Sequence, residues 1–338
     1  MLHERANNFN GIPLSVLDLA PIREGSNAEE AFKESVSLAQ HVEKLGFNRY
    51  WLAEHHNMPG IGSSATSVLI AHIAGNTNYM RVGSGGIMLP NHATIVIAEQ
   101  FGTLESLFPG RIDLGLGRAP GTDQATAYAL RRTLNSGPEE FPMQVNELQD
   151  YFSDKPISRV QAVPGRGLDI PIWLLGSSDF SARLAAEKGL YFSFASHFAP
   201  RYTVPALKLY RDNFKPSDTL AKPYAMVGVN VIAADTAEEA ERLASSQYMQ
   251  FLDLRRGEAR KLQAPIDNME EVWTPMEKAA VLQSLDPRTT IVGDKDTVRK
   301  RLRAFQEETN ADEIIIGSQI YDLNDRLRSY EIVAELFD

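Results

Sequence analysis

The 338-residue chain contains no cysteine, which excludes disulfides, thiolate nucleophiles and cysteine-ligated metals together. It has no apolar run of membrane-spanning length, and its first ten residues are polar, so no secretory signal is read there. Positive charge is not in excess either: 34 Lys and Arg stand against 44 Asp and Glu, a formal net charge of −10. That balance argues against polyanion binding and leaves no basic, aromatic-laced surface to read as a nucleic-acid site. Both familiar phosphate fingerprints are missing. The run Gly115–Gly121, GLGRAPG, places its last glycine one residue too late for the dinucleotide motif, and no lysine follows as in a P-loop. No internal repeat and no interdomain linker is visible. The expectation is a cytoplasmic globular protein, residues 1–338 forming one domain, with neither nucleic acid nor membrane as partner.

What is present is a repeated alternation of strand and helix. Period-two or continuously apolar runs mark strands at Ile12–Leu19, Asn48–Glu54, Met80–Leu89, Ile112–Gly117, Ile170–Gly176, Leu190–Ala195, Tyr224–Ala233 and Glu313–Gly317. Helical spacing separates them. Ser26 with Glu29 reads as a capping box for a helix that carries Phe32, Val36, Ala39, Val42 and Leu45 inward and stops at Gly46. Leu134–Gly167 reads as an insertion holding a helix near Glu140–Phe152. A charged helix follows at about Thr236–Arg255, then further helices to about Thr309. Between these, Gly257–Pro275 lacks a sustained hydrophobic period and is expected to act as a lid. Eight strands alternating with helices and no hairpin signal predict an α/β fold, a (β/α)8 TIM barrel with insertions after strand 4 and strand 7.

In such a barrel the C-terminal strand ends converge on one site. Here they carry Glu54, His55 and His56; Gly85 and Gly86; Arg118; Ser177 and Ser178; His197; Asn230; and Gln319. Arg118 follows a glycine-rich strand and is suited to gripping a phosphate or carboxylate bidentately, the plain alternative being a solvated arginine in a turn. Ser178 and Ser181 open the helix after strand 5, where free amides favour an anion, or where Ser178 is simply an N-cap. A metal held by Glu54, His55 and His56 is not favoured, because adjacent residues of an extended chain point to opposite faces. One of the two histidines is expected in the pocket and the other behind the strand. Glycines Gly85 and Gly86 would let a flat ligand lie against the backbone.

The stretches Trp51–Asn57 (WLAEHHN), Val82–Gly121 and Ile172–Leu190 resemble the bacterial luciferase-like, flavin-dependent monooxygenases, most closely the YhbW-like subgroup, over nearly the whole chain. The resemblance implies a barrel binding FMN, which reacts with O2 through a flavin C4a-hydroperoxide on a small organic substrate. Carried over by position, it makes Arg118, Ser178 and Ser181 the phosphate site, His55 and Glu54 the catalytic pair, and Gly85-Gly86 a non-prolyl cis peptide beneath the flavin ring. Ser177 and His197 join the cofactor-facing set from their strand-end positions alone. Gly117 stands where the light-emitting enzymes have a reactive cysteine, so light emission is not implied. Reduced FMN would come from an NAD(P)H:flavin reductase or from NAD(P)H bound transiently, and a homodimer is expected. Rival readings are an F420-dependent oxidoreductase on the same barrel and a flavin-binding protein without turnover. A barrel hydrolase or aldolase lacks the carboxylate pair or the strand-end lysine it would need.

Overall fold

A computed structural model describes residues 5–119, 124–131, 138–155 and 159–338. Eight parallel strands close on themselves: Ile12–Asp18, Arg49–Leu52, Arg81–Ser84, Ile112–Gly117, Ile172–Gly176, Tyr191–Phe194, Ala225–Ala233 and Glu313–Gly317. Each pairs with the next, and the eighth returns to the first with Ile314 opposite Leu14 and Gly317 opposite Leu17. These are the eight strands read from the sequence; Ile112–Gly117 and Glu313–Gly317 keep the bounds read, and the other six are trimmed by a residue or more. They are almost wholly buried, because one face meets the barrel interior and the other meets the helices. Pro120 and Gly121, the last two residues of the GLGRAPG run, lie outside the described residues.

Two readings of local structure are corrected. Helix α1 spans Ala28–Leu45 and ends at Gly46, whose φ of 89° suits glycine, but its cap is Asn27, which accepts from the Glu30 amide. Ser26 instead donates to the Glu30 carboxylate at 2.6 Å. The buried face of α1 is accordingly centred on Leu38, Ala39 and Val42, with Phe32, Val36 and Leu45 at its margins. The second correction lies in the stretch assigned wholly to helices before Thr309. Thr290–Gly293 is a short strand that runs parallel to Asn230–Ala233, between α9 (Pro275–Ser284) and α10 (Lys295–Thr309). Four residues are too few to show a period, so this strand is made by its neighbour.

Both insertions are present. After strand 4 come α4 (Gln124–Arg131) and α5 (Phe141–Phe152), the latter burying Phe141, Val145 and Leu148. After strand 7 comes α8 (Ala237–Arg255), and then the expected lid segment. That segment is tied down at Leu262, which is fully buried and exchanges backbone hydrogen bonds with Ile22 and Glu24.

The barrel interior is layered. At its N-terminal end Arg49 donates to Asp113 at 2.7 Å and to Glu313 at 2.7 and 2.9 Å, and Arg81 donates to Asp113 at 2.6 and 3.0 Å. Asn48, Tyr224, Trp51 and Ser15 donate to the same carboxylates. Two cations and two anions thus cancel in a place closed to solvent, which is the condition for burying charge at all. Burial pushes the Asp113 carboxyl up, but Arg49 and Arg81 overcome it and hold it at about 2. Above this layer Trp51, Trp173, Tyr191, Met226 and Ile315 fill the centre, with Trp173 stacked on Tyr191 at 4.7 Å between centroids.

Candidate active site

Above the aromatic layer five of the strands carry only glycine or alanine at their inward positions. Strand alternation continues Trp51 to Ala53, Arg81 and Gly83 to Gly85, Asp113 to Gly115 and Gly117, Met226 to Gly228, and Ile315 to Gly317. A Cβ on Gly85 would come within 2.7 Å of Leu17 Cδ1, and one on Gly86 within 2.8 Å of the Gly115 carbonyl. The Gly85–Gly86 peptide is cis, as the resemblance implies. At this height strands 3 and 4 are joined by the Ser84 hydroxyl, which donates to the Gly115 carbonyl at 2.8 Å and accepts from the Gly115 amide at 3.0 Å. The result is a mouth whose floor is backbone, suited to a flat ligand.

On one side of this mouth stands Arg118, directly after strand 4. Its guanidinium lies 4.0 Å from the centre of the Phe180 ring and makes no hydrogen bond or ion pair among the described residues. Phe180 belongs to the first turn of α6 (Asp179–Lys188), so Arg118 is held at that helix's N-terminus. Ser178 occupies the N-cap position, but its side chain makes no capping bond. The cap reading is therefore corrected: the hydroxyl does not satisfy the helix amides, which stay available to an anion. Ser181, 3% exposed, packs against Gly176, where a Cβ would sit 2.8 Å from its Oγ. Ser177 is exposed at the rim. Asp179, the one acid in this turn, is engaged by Arg183 at 3.2 Å.

Across the mouth, alternation separates the residues that follow strand 2. Glu54, 1% exposed, accepts at Oε1 from Nε2 of His56 and from Nε2 of His92, both at 2.8 Å, and at Oε2 from the Met88 amide at 2.9 Å. Burial pushes this carboxyl up, yet His92, His56 and the Met88 N–H together hold it below its ordinary value. Glu54 and His56 share one side of the chain, which leaves His55 on the other, the side of Ala53 and Trp51. The His55 ring makes no hydrogen bond among the described residues. Burial pushes its imidazole down, only partly offset by the Glu54 charge, so it is neutral near pH 7. Among the described residues no group of three or more His, Asp and Glu could hold a metal ion.

His197 sits between strands 6 and 7. It is 8% exposed, its Nδ1 has no hydrogen-bond partner, and its ring lies over Gly228, where a Cβ would be 2.5 Å from Nδ1. Burial pushes its imidazole down to about 4. Gln319, two residues beyond Gly317, is likewise buried with an unpartnered Oε1. His92 was not singled out from the sequence. Its signal was no more than a histidine in the Pro90-Asn91-His92 turn before α3 (Thr94–Leu107), and its partner lies 38 residues away.

The family model for luciferase-like monooxygenases matches residues 12–312. The chain belongs to the luciferase-like monooxygenase family. A luciferase-like monooxygenase of Escherichia coli strain K12 is 56% identical over 326 residues, covering 96% of this chain and 97% of that protein. The N-acetyl-S-alkylcysteine monooxygenase of Bacillus subtilis is 31% identical over 339 residues, covering 96% and 98%. Among solved structures apo-MsnO8 superposes with a TM-score of 0.86 at 32% identity, over 96% of this chain and 98% of that one. The fold extends to more distant barrels. The oxygenating constituent of 3,6-diketocamphane monooxygenase from Pseudomonas putida, determined with FMN, has a TM-score of 0.73 at 18% identity, covering 96% and 97%. An F420-dependent secondary alcohol dehydrogenase reaches 0.71 at 14%, covering 97% and 99%. This luciferase-like chain is thus an enzyme with the barrel of its family, and no helix among the described residues is long and apolar enough to cross a membrane.

Proposed function

We propose that this family member is an FMN-dependent monooxygenase, one barrel domain over residues 1–338, acting on a small organic substrate with reduced flavin and O2. The observation that carries the reading is Arg118, without a hydrogen bond or ion pair among the described residues, stacked on Phe180 at an uncapped helix N-terminus beside a glycine floor. The residues present fit FMN in each of its parts. Arg118, the α6 amides, Ser177, Ser178 and Ser181 suit the phosphate. Gly85, Gly86 and Gly115, where a Cβ would strike Leu17, the Gly115 carbonyl and the Ser84 carbonyl, keep the strands close and leave bare backbone beneath the ring, and His197 and Gln319 each carry a buried, unpartnered polar atom beside the same strand ends. When bound and reduced, FMN supplies the electrons that activate O2, placing one oxygen atom in the product and the other in water.

The chain's own work is binding, orientation and proton handling. His55, neutral and without an internal partner, takes a proton from or returns it to the reacting group at a ring nitrogen. Glu54, whose three acceptor contacts are all internal, does not exchange protons with substrate but holds the frame around it. The chain has no dinucleotide fingerprint, so reduced FMN is delivered by an NAD(P)H:flavin reductase or formed by NAD(P)H visiting the same mouth. A cytoplasmic homodimer completes the reading.

The test is O2 uptake with enzymatically reduced FMN across a panel of small organic substrates, reading product mass for one added oxygen, together with the absorbance of the cofactor that copurifies. Substrate-dependent uptake with an oxygenated product is expected. A deazaflavin spectrum with no FMN binding would replace this reading by the F420 one, and FMN binding without turnover on any substrate would reduce the chain to a flavin binder.

A further inference from the structure

Glu54 lies two residues beyond strand 2, and its three donors come from two places: His56 on the same side of its own chain, and a stretch 34 to 38 residues on. Two of them, the Met88 amide and His92 Nε2, belong to one short stretch, the turn that carries the backbone from Gly86 up to α3. The third is His56. A carboxylate has about four acceptor positions, so three are occupied within the protein. Because Oε1 only accepts, both imidazoles present Nε2 as a donor, which sets the tautomer of each when neutral. The carboxylate is 1% exposed and held in its charged form. A buried anion of this kind is tolerated only while its donors are in place.

We propose that His92 is a positioning residue for the flavin site. Through Glu54 it clamps the segment Ile87–His92 to the end of strand 2, and so keeps Gly86 against the Gly115 carbonyl and the ring floor open. The inference rests on the flavin reading above and adds to it a residue that touches neither cofactor nor substrate. Its action differs from that of Arg118. Arg118 faces the phosphate, whereas the clamp shapes the floor under the ring, so losing His92 should weaken FMN and riboflavin to the same degree.

The experiment titrates both flavins into wild type, His92→Leu and His92→Gln, with thermal melts of each protein. Glutamine carries an Nε2–H at a reach close to that of the imidazole Nε2, so it can donate to Glu54 while leucine cannot. His92→Leu should bind both flavins roughly tenfold more weakly, the loss of one charge-assisted hydrogen bond acting through the floor, and His92→Gln should recover most of that loss. A folded His92→Leu with wild-type affinity for both flavins would overturn the proposal. If the leucine variant does not fold, the glutamine variant decides: folded with wild-type flavin affinity supports the clamp, and folded with affinity reduced tenfold or more refutes it. Failure of wild type to bind any flavin would instead sink the FMN reading itself.

Discussion

Replacing Arg118 by alanine should separate two flavins that differ by one phosphate. The guanidinium lies 4.0 Å from the Phe180 ring centre and has no hydrogen-bond partner among the described residues, so the substitution strands no internal group. Stability should therefore change by no more than about 1 kcal/mol, the size of a partly exposed cation–π contact. What is lost is a charge-assisted contact to phosphate, about 1.5–3 kcal/mol, and each 1.4 kcal/mol is about tenfold in affinity. FMN should bind roughly ten- to a hundredfold more weakly. The α6 N-terminus remains and retains about 0.3–1 kcal/mol of attraction, so binding is weakened rather than abolished. Riboflavin should bind wild type and variant alike. Arg118→Lys keeps the charge but loses the planar fork and the stack on Phe180, and should fall between the two. Flavin fluorescence titrations of the three proteins against both flavins measure the six affinities. An equal loss for FMN and riboflavin would mean that Arg118 shapes the mouth and does not hold the phosphate.

Other expectations address the interior. Arg49→Met leaves Glu313 and Asp113 buried with too little positive charge, and urea unfolding should show a loss of about 3–5 kcal/mol; a change below about 1 kcal/mol would show that water or rearrangement repairs the base of the barrel. His197, pushed down to about 4 by burial, should stay neutral across the physiological range, with its NMR titration midpoint far below that of an exposed histidine. Its unfolded form binds protons from about pH 6.5 downward while its folded form does not until about pH 4, so stability should fall as pH drops through that window. A midpoint near 6.5 would remove the claim that the ring is sealed against Gly228.

The barrel was legible in the sequence because a strand covered on both faces is mostly apolar or alternates in short runs, and because the helices between strands carry their own period. The glycines of the mouth and the arginine after strand 4 were also legible, since they sit in or just after runs whose strand character is plain. Even the opposite fates of His55 and His56 follow from the alternation of an extended chain. Tertiary structure alone decided which charges meet. Arg49 finds Glu313 at a separation of 264 residues and Asp113 at 64, and Glu54 finds His92 at 38. Pairings of this kind leave no local pattern, because a charge is satisfied by any opposite partner that closure of the barrel brings within reach. The strand at Thr290–Gly293 has the same origin: four residues without a period of their own become extended because strand 7 offers them unpaired backbone groups.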